Sequence, residues 1–281
     1  MLAMKRLEYG GGDMRFAVLM TCHNRVSITR SCLRRLFASK LPRGFAFDVW
    51  LNDDGCMDGT GEYVKAEFPT VNTIKGSGCD YWCGGMRRVW NAASRHFDYD
   101  GYLWLNDDTM LNDDALEIIF ERNDGESILV GAVCGKDGEA TYGGEDGDGF
   151  VIPDGTWRTI LQMNGNVVWV PKRVFAQLGN FPKYLTHSLG DCDYSRRAVE
   201  HDICVCLSPC FVGTCEANDR IPTWKNPTAP FAKRLRNLYS PAGGCEPLVL
   251  FRYCLKHDGW LTAIKLLIAN HIRTFFPKLW L

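Results

Sequence analysis

The sequence predicts an α/β fold: a central, mostly parallel sheet flanked by helices, with a C-terminal helical extension. Two observations carry that prediction. Up to Val133, short apolar runs alternate with segments of helical periodicity, the pattern of strands joined by crossover helices. Several of those runs also end in a polar turn rich in Asn and Asp. A hydrophobic content of 46% and a charged content of 23% supply an ordinary globular core.

Taken in order, Phe16 to Met20 reads as the first strand, followed by a helix over Ser27 to Ala38 on which Ile28, Leu33, Leu36 and Phe37 share a face. Phe47 to Leu51 is the second strand and NDDGCMDGTGEYVKAEF a turn entering a helix. Val71 to Lys75 is a third strand, Gly84 to Phe97 a helix, Tyr102 to Leu105 a fourth strand. Asn112 to Glu121 is a helix with Asn112 as its cap, and Ile128 to Val133 a fifth strand. Beyond it, KDGEATYGGEDGDGF reads as a loop or short hairpin. Asn166 to Val170 is a strand, PKRVFAQLG a helix, SLGDCDYSRRAVEHD a second helix and Ile203 to Leu207 a strand. Pro-rich segments from Pro222 to Pro247 then lead to a helical C-terminus. The Gly10-Gly11-Gly12 run marks residues 1–14 as a flexible tail, 15–220 form the α/β domain, and 221–281 an extension with an amphipathic helix.

The net charge of −1 gives no general attraction for nucleic acid, and none is expected as a partner. The 13 cysteines form no paired CxxC clusters, which suggests reduced thiols and a cytosolic compartment. The N-terminus has no apolar signal core, and no apolar run reaches the ~18 residues a membrane span needs.

Ligands of parallel sheets gather outside the carboxyl ends of the strands. Cys22-His23-Asn24-Arg25, Asp53-Asp54 and Asp107-Asp108 each follow a predicted strand and should lie along one edge. Turn and cap chemistry also explains such residues singly. Two separate Asp-Asp pairs at one edge point instead to a bound cation and its ligand. The spacing excludes the DxD of haloacid-dehalogenase phosphatases, and DGCMDGTGEY fails the EF-hand register. GxxxxGK[ST], GxSxG and HExxH are absent. Mg²⁺ or Mn²⁺ bridging a diphosphate remains, since such ions use one or two carboxylates plus substrate phosphates.

AVLMTCHNR, VWLNDDGCMDGT, KGSGCDYWCGGMRRVWNAA, YLWLNDDTML and LGDCDYSRRA resemble, in that order, the motifs of family-2 glycosyltransferases of the GT-A fold, from about Phe16 to about Asn218. The resemblance implies transfer of a sugar from a nucleotide diphosphate to a saccharide or lipid-linked acceptor. It extends to bacterial polysaccharide and O-antigen rhamnosyl- or galactosyltransferases. It places Thr21, His23, Arg25, Asp53, Asp54, Gly84, Gly85, Arg87 and Asp107 with the donor, Asp108 on the metal, and Asp191 as the base that deprotonates the acceptor hydroxyl. Arg88 shares the helix start with Arg87; for either arginine a solvated helix turn is the competing reading. Asn106 stands where the family has the first Asp of its DxD, and Gly190 where it has a Glu. One base without a carboxylate nucleophile implies inversion at the anomeric carbon. The family often supplies a downstream His to the metal; CFVGTCEANDR offers Cys215, Glu216 and Asn218 instead. Asp191 and Asp193 both suit the N-terminal dipole of their helix, which is the competing reading for Asp191, and Asp193 reads as the structural one of the two. A sugar-nucleotide nucleotidyltransferase and a non-catalytic nucleotide-sugar-binding module are the rivals.

In WLTAIKLLIANHIRTFFPKLW, Trp260, Leu261, Ile264, Leu267, Ile268, Ile272 and Phe275 share a helical face, with Lys265, Ala269 and Arg273 opposite; His271 interrupts the apolar face and Leu266 the polar one. The face suits either the inner surface of a membrane or docking on the protein's own core or a dimer partner.

Overall fold

The computed structural model describes residues 13–218, 221–244 and 246–280; most of the expected N-terminal tail, residues 1–12, lies outside the described residues. Thirteen strands and nine α-helices are described: β1 (Met14–Cys22), α1 (Val26–Ala38), β2 (Phe45–Asp53), α2 (Thr60–Glu67), β3 (Asn72–Lys75), α3 (Tyr81–His96), β4 (Gly101–Leu105), β5 (Met110–Leu111), α4 (Ala115–Glu121), β6 (Ile128–Cys134), β7 (Ala140–Tyr142), β8 (Gly144–Asp146), β9 (Gly149–Phe150), β10 (Arg158–Thr159), β11 (Gln162–Met163), β12 (Val167–Pro171), α5 (Lys172–Leu178), α6 (Gly190–Glu200), β13 (Val205–Thr214), α7 (Phe231–Leu238), α8 (Pro247–His257) and α9 (Trp260–Phe275).

The main sheet has the order β10-β13-β6-β12-β4-β1-β2-β3. β1 pairs in parallel with β2 and β4, β2 with β3, and β13 with β6, while β12 is antiparallel to both β4 and β6. Hence β3, β2, β1, β4, β6 and β13 run one way, and only β12 is reversed among them. From β1 the chain moves outward to β2 and β3, then crosses back to β4 on the other side of β1. That reversal opens a crevice at the carboxyl ends of β1 and β4, where such sheets bind ligands.

Alternation along β1 sets the two core layers. Phe16, Val18 and Met20 face α1, α2 and α4 through Cys32, Leu33, Leu36, Val64 and Ile119. Ala17 and Leu19 face α3, α5 and α6 through Met86, Val89, Trp90, Val174 and Tyr194. In the second layer Trp104 packs edge-on to Trp90 at 5.4 Å and to Tyr194 at 5.1 Å.

Several boundaries differ from the sequence reading. α3 begins at Tyr81, a turn earlier than expected. α4 begins at Ala115, with no side-chain cap; the Asn112 amide instead donates to the Phe211 carbonyl at 3.0 Å, joining the β5 end to β13. β13 runs on to Thr214 through a register shift after Leu207, where Pro209 has no N–H for the ladder. The acidic Gly-rich stretch contributes β7, paired to β6, and the β8–β9 hairpin.

The extension docks through Tyr253, Cys254 and Ala263 against Tyr184, Leu189 and Cys192. The fully buried Asp193 carboxylate of α6 meets Lys256 at 2.7 Å and His257 at 2.9 Å on α8, as well as its own Arg197 at 2.8 Å. Those partners outweigh the effect of burial and hold Asp193 below the usual carboxylate range.

Removing the completely buried Trp104 ring leaves a cavity between α3 and α6. Trp104→Ala should lower unfolding free energy by about 3–5 kcal/mol in urea titrations; a loss under about 1 kcal/mol would contradict a rigid second layer.

Candidate active site

A cleft of about 330 Å³ opens at the switch point, lined by Thr21, Cys22, His23, Arg25, Asp54, Gly78, Tyr81, Trp82, Asn106, Asp107, Asp108, His187 and Ala242. The turns after β1, β2 and β4 all reach it. The C-terminal extension contributes Ala242.

At the tip of β4, Asp107 and Asp108 share one cation from the chain itself. The Arg25 Nη1 lies 2.7 Å from Asp108 Oδ2 and 3.2 Å from Asp107 Oδ1. Burial opposes the Arg25 charge, but the two carboxylates more than offset it and raise its pKa. Asp107 is almost fully buried and takes the Thr29 hydroxyl at 2.9 Å. Burial first, and the neighbouring Asp108 charge after it, push its carboxyl up to about 6 despite Arg25. Two carboxylates against one guanidinium leave local negative charge on a cleft wall. This hard-oxygen donor set fits Mg²⁺ or Mn²⁺.

Downstream, Cys215 Sγ lies 3.7 Å from Asp108 Oδ1. Burial and Asp108 push that thiol up to about 12, so a neutral S–H faces the carboxylate at neutral pH. Glu216 accepts the Lys136 backbone N–H at 3.1 Å, and the Asn218 N–H donates to the Tyr142 hydroxyl at 2.9 Å. Cys22, Asp53 and Cys56 put three ligand atoms within 4.8 Å of one another, but burial raises both thiols, Cys56 to about 11 and Cys22 further.

Asp54 organises the facing wall. Its carboxylate accepts the backbone N–H groups of Gly78 at 2.7 Å, Asp80 at 3.0 Å and Tyr81 at 3.0 Å, at the N-terminus of α3. A carboxylate there is stabilised by charge-assisted bonds and by the helix dipole. It also holds Tyr81 at φ +52°, a left-handed conformation unusual for a bulky residue. His23 donates its Nδ1–H to the Asp54 carbonyl at 2.7 Å, and its Nε2 accepts from Asn24 at 3.0 Å.

The other expected donor residues do not line the cleft. Asp53 Oδ1 accepts the Cys56 N–H at 2.9 Å. A Cβ on Gly85 would fall 2.2 Å from Thr21 Oγ1, so this glycine lets α3 close onto the end of β1. Gly84 donates its N–H to the Thr186 carbonyl at 3.2 Å. Arg87 donates to the carbonyls of Pro182 and Leu185 at 3.1 and 3.0 Å, and Arg88 forms a two-point pair with Asp80 at 2.8 and 2.9 Å. Asp191 is also off the wall; its oxygens accept the N–H groups of Gly165 at 3.1 Å and Cys192 at 2.9 Å. Burial raises its pKa against those bonds. The Trp82 indole, which does line the cleft, packs on Gly165 and Gly190 beside Asp191 and donates to Asn106 Oδ1 at 2.7 Å.

His187 is one of the cleft residues that sequence reasoning missed, with Gly78, Tyr81, Trp82 and Ala242. It sits in a loop after no predicted strand, and only tertiary packing brings it in. Its Nδ1 accepts the Trp82 backbone N–H at 3.4 Å, which leaves the proton on Nε2. Burial and then the Arg25 charge lower its pKa, so it is neutral at neutral pH. The loop is tied to the extension by Ser188, which donates to the Gly244 carbonyl at 3.0 Å, and by Thr186, which donates to Glu246.

This architecture is the GT-A fold. The mannosyltransferase PcManGT from Pyrobaculum calidifontis, solved in complex with GDP-Man and Mn²⁺, superposes with a TM-score of 0.53 at 15% identity, over 94% of this chain and 88% of its own. GalNAc-T7 with UDP, GalNAc and Mn²⁺ superposes with a TM-score of 0.55 at 13% identity, over 80% of this chain and 48% of its own. The chain thus spans about half the length of the latter. No protein-family model and no curated protein matches the sequence.

Asp54→Ala strands three backbone donors and should cost on the order of 3 kcal/mol of stability, measured by denaturant titration; an unchanged midpoint would contradict the capping role. Asp107 binds its proton more tightly folded than unfolded, so its contribution to stability falls as pH rises from about 4 to about 6. With divalent cations chelated, Asp107→Asn should therefore be the more stable above that window, by up to about 3 kcal/mol. Parallel stability–pH profiles for the two proteins would contradict this.

Proposed function

We propose that the protein is a divalent-metal-dependent, inverting glycosyltransferase. It moves a hexosyl group from a nucleotide-diphosphate donor to a saccharide or lipid-linked acceptor. The setting we propose is bacterial surface polysaccharide synthesis, of the rhamnosyl- or galactosyl-type, at the cytoplasmic side. The observation that carries this reading is the Asp107–Asp108 pair on the wall of the switch-point cleft, opposite an aromatic and glycine-rich segment. The Mn²⁺ and nucleotide ligands bound to the two similar structures support it.

Asp108, assisted by Asp107, would hold Mg²⁺ or Mn²⁺. When bound, the ion supplies charge neutralisation for the departing diphosphate. Arg25 already sits between these carboxylates and would contribute a second positive charge beside the phosphates. Thr21, His23 and Asp54 would form the nucleotide side of the cleft. Asp53, Gly84, Gly85 and Arg87 would act on the donor through the backbone they support. Asp191 would accept the proton of the acceptor hydroxyl as that oxygen bonds to the anomeric carbon and the nucleoside diphosphate leaves. Its raised pKa makes it a stronger proton acceptor while ionised. The position of Asp191 off the cleft wall favours the second reading, a nucleotide-sugar-binding module without catalysis.

A hydrolysis screen separates the two. The chain would meet a panel of nucleotide sugars with Mn²⁺ or Mg²⁺, with released nucleotide measured. One donor should turn over slowly, and Asp108→Ala or a chelator should cut the rate by about 100-fold or more. With the matching acceptor, Asp191→Asn should reduce transfer roughly 100-fold or more while donor binding persists. Metal-dependent binding without turnover would leave the binding module. Neither binding nor turnover with any donor would sink both.

A further inference from the structure

In α9 the buried residues are Ala263, Asn270 and Thr274, with Leu266 partly buried against Tyr253 and Cys254. Turned outward are Trp260, Leu261, Ile264, Ile268, Ile272 and Phe275, each at least 41% exposed, with Phe276 directly after them at 64%. The usual surface helix turns its main apolar stripe to the core, whereas α9 buries a mixed face and leaves the larger apolar stripe exposed. On a wheel the six outward residues form one stripe interrupted by His271, which bonds to the Tyr239 hydroxyl and the Leu267 carbonyl, and the Lys265 position borders it. The neighbouring α8 exposes Leu248 and Leu255 as well. An exposed apolar surface of this kind marks an interaction site.

We propose that the outward face of α9 lies in the interface of an anionic lipid membrane. Charge names the occupant: Lys265, Arg273 and Lys278 are the charged residues of 259–281, and no Asp or Glu occurs there. Aromatic residues stand at both ends, Trp260 at one and Phe275 and Phe276 at the other, as in helices lying at headgroup level. Among the described residues no helix is long and apolar enough to cross a membrane, so the helix rests on the surface. A second copy of the chain fits less well. Pairing the stripe with itself would bring the bordering Lys265 of each copy to the seam with no acid on either helix to offset them.

Through Ala242, and through the Ser188 and Thr186 contacts, the extension is joined to the cleft. Docking would therefore hold the cleft near acceptors carried in the membrane. The binding itself does not depend on the transferase reading and is measured without any donor.

The test is co-sedimentation of the full chain with vesicles of phosphatidylcholine and phosphatidylglycerol in a two-to-one ratio, against phosphatidylcholine alone. Partitioning onto the mixed vesicles should be about tenfold stronger and should weaken severalfold in high salt. The double variant Ile264→Asp, Ile268→Asp alters only exposed positions, so circular dichroism and melting should be unchanged while partitioning falls about tenfold or more. No partitioning of the parent chain, or equal partitioning of the double variant, would overturn the proposal, and equal binding to neutral vesicles would overturn its anionic specificity. A lipid-free dimer that the double variant dissociates would assign the face to a second copy instead.

Discussion

One guanidinium, that of Arg25, bridges two carboxylates across the point where the strand order reverses. Arg25 follows β1, and Asp107 and Asp108 follow β4, so the contact ties together the two strands between which the crevice opens. Without it, adjacent carboxylates at the end of a buried strand would repel each other in poorly solvated surroundings. Even with it, burial first and the Asp108 charge second keep the Asp107 carboxyl raised, and two carboxylates face one guanidinium. The cleft is thus electrostatically incomplete by itself, a condition that a divalent cation bound with an anionic diphosphate would relieve.

The opposite wall follows the same logic with opposite sign. The N-terminus of α3 offers unpaired N–H groups, and Asp54 answers them with one carboxylate. The conformation of Tyr81, the position of Trp82 and the closure of α3 over Gly85 all follow from how that helix starts. Behind Trp82 lies Asp191, kept near the cleft by backbone bonds but not facing it. One side chain, the Trp82 indole, thus borders both the cleft and the segment that holds Asp191.

Motif reading located the three turns at one sheet edge because each is local: a strand ends, and its next residues must emerge at the carboxyl edge. It misjudged Asn112, whose amide found a carbonyl across the sheet rather than its own helix. The two-residue strands were illegible, since segments that short are defined by partners distant in sequence. His187 was overlooked for the same reason, lying in a loop that only the C-terminal extension secures.

The amino-acid order by itself determined the alternation of strands and helices, the clustering of Asp pairs at one edge, and the amphipathic stripe of the last helix. Periodicity and turn chemistry act over a few residues, so a linear chain displays them openly. Tertiary structure alone decided that Arg25 pairs with Asp107 and Asp108, that Asp53 and Arg87 turn to backbone partners, and that α9 presents its apolar face to solvent. Each of these depends on the relative placement of segments far apart in the chain. A helical wheel gives the composition of a face, and only packing fixes the direction in which it points.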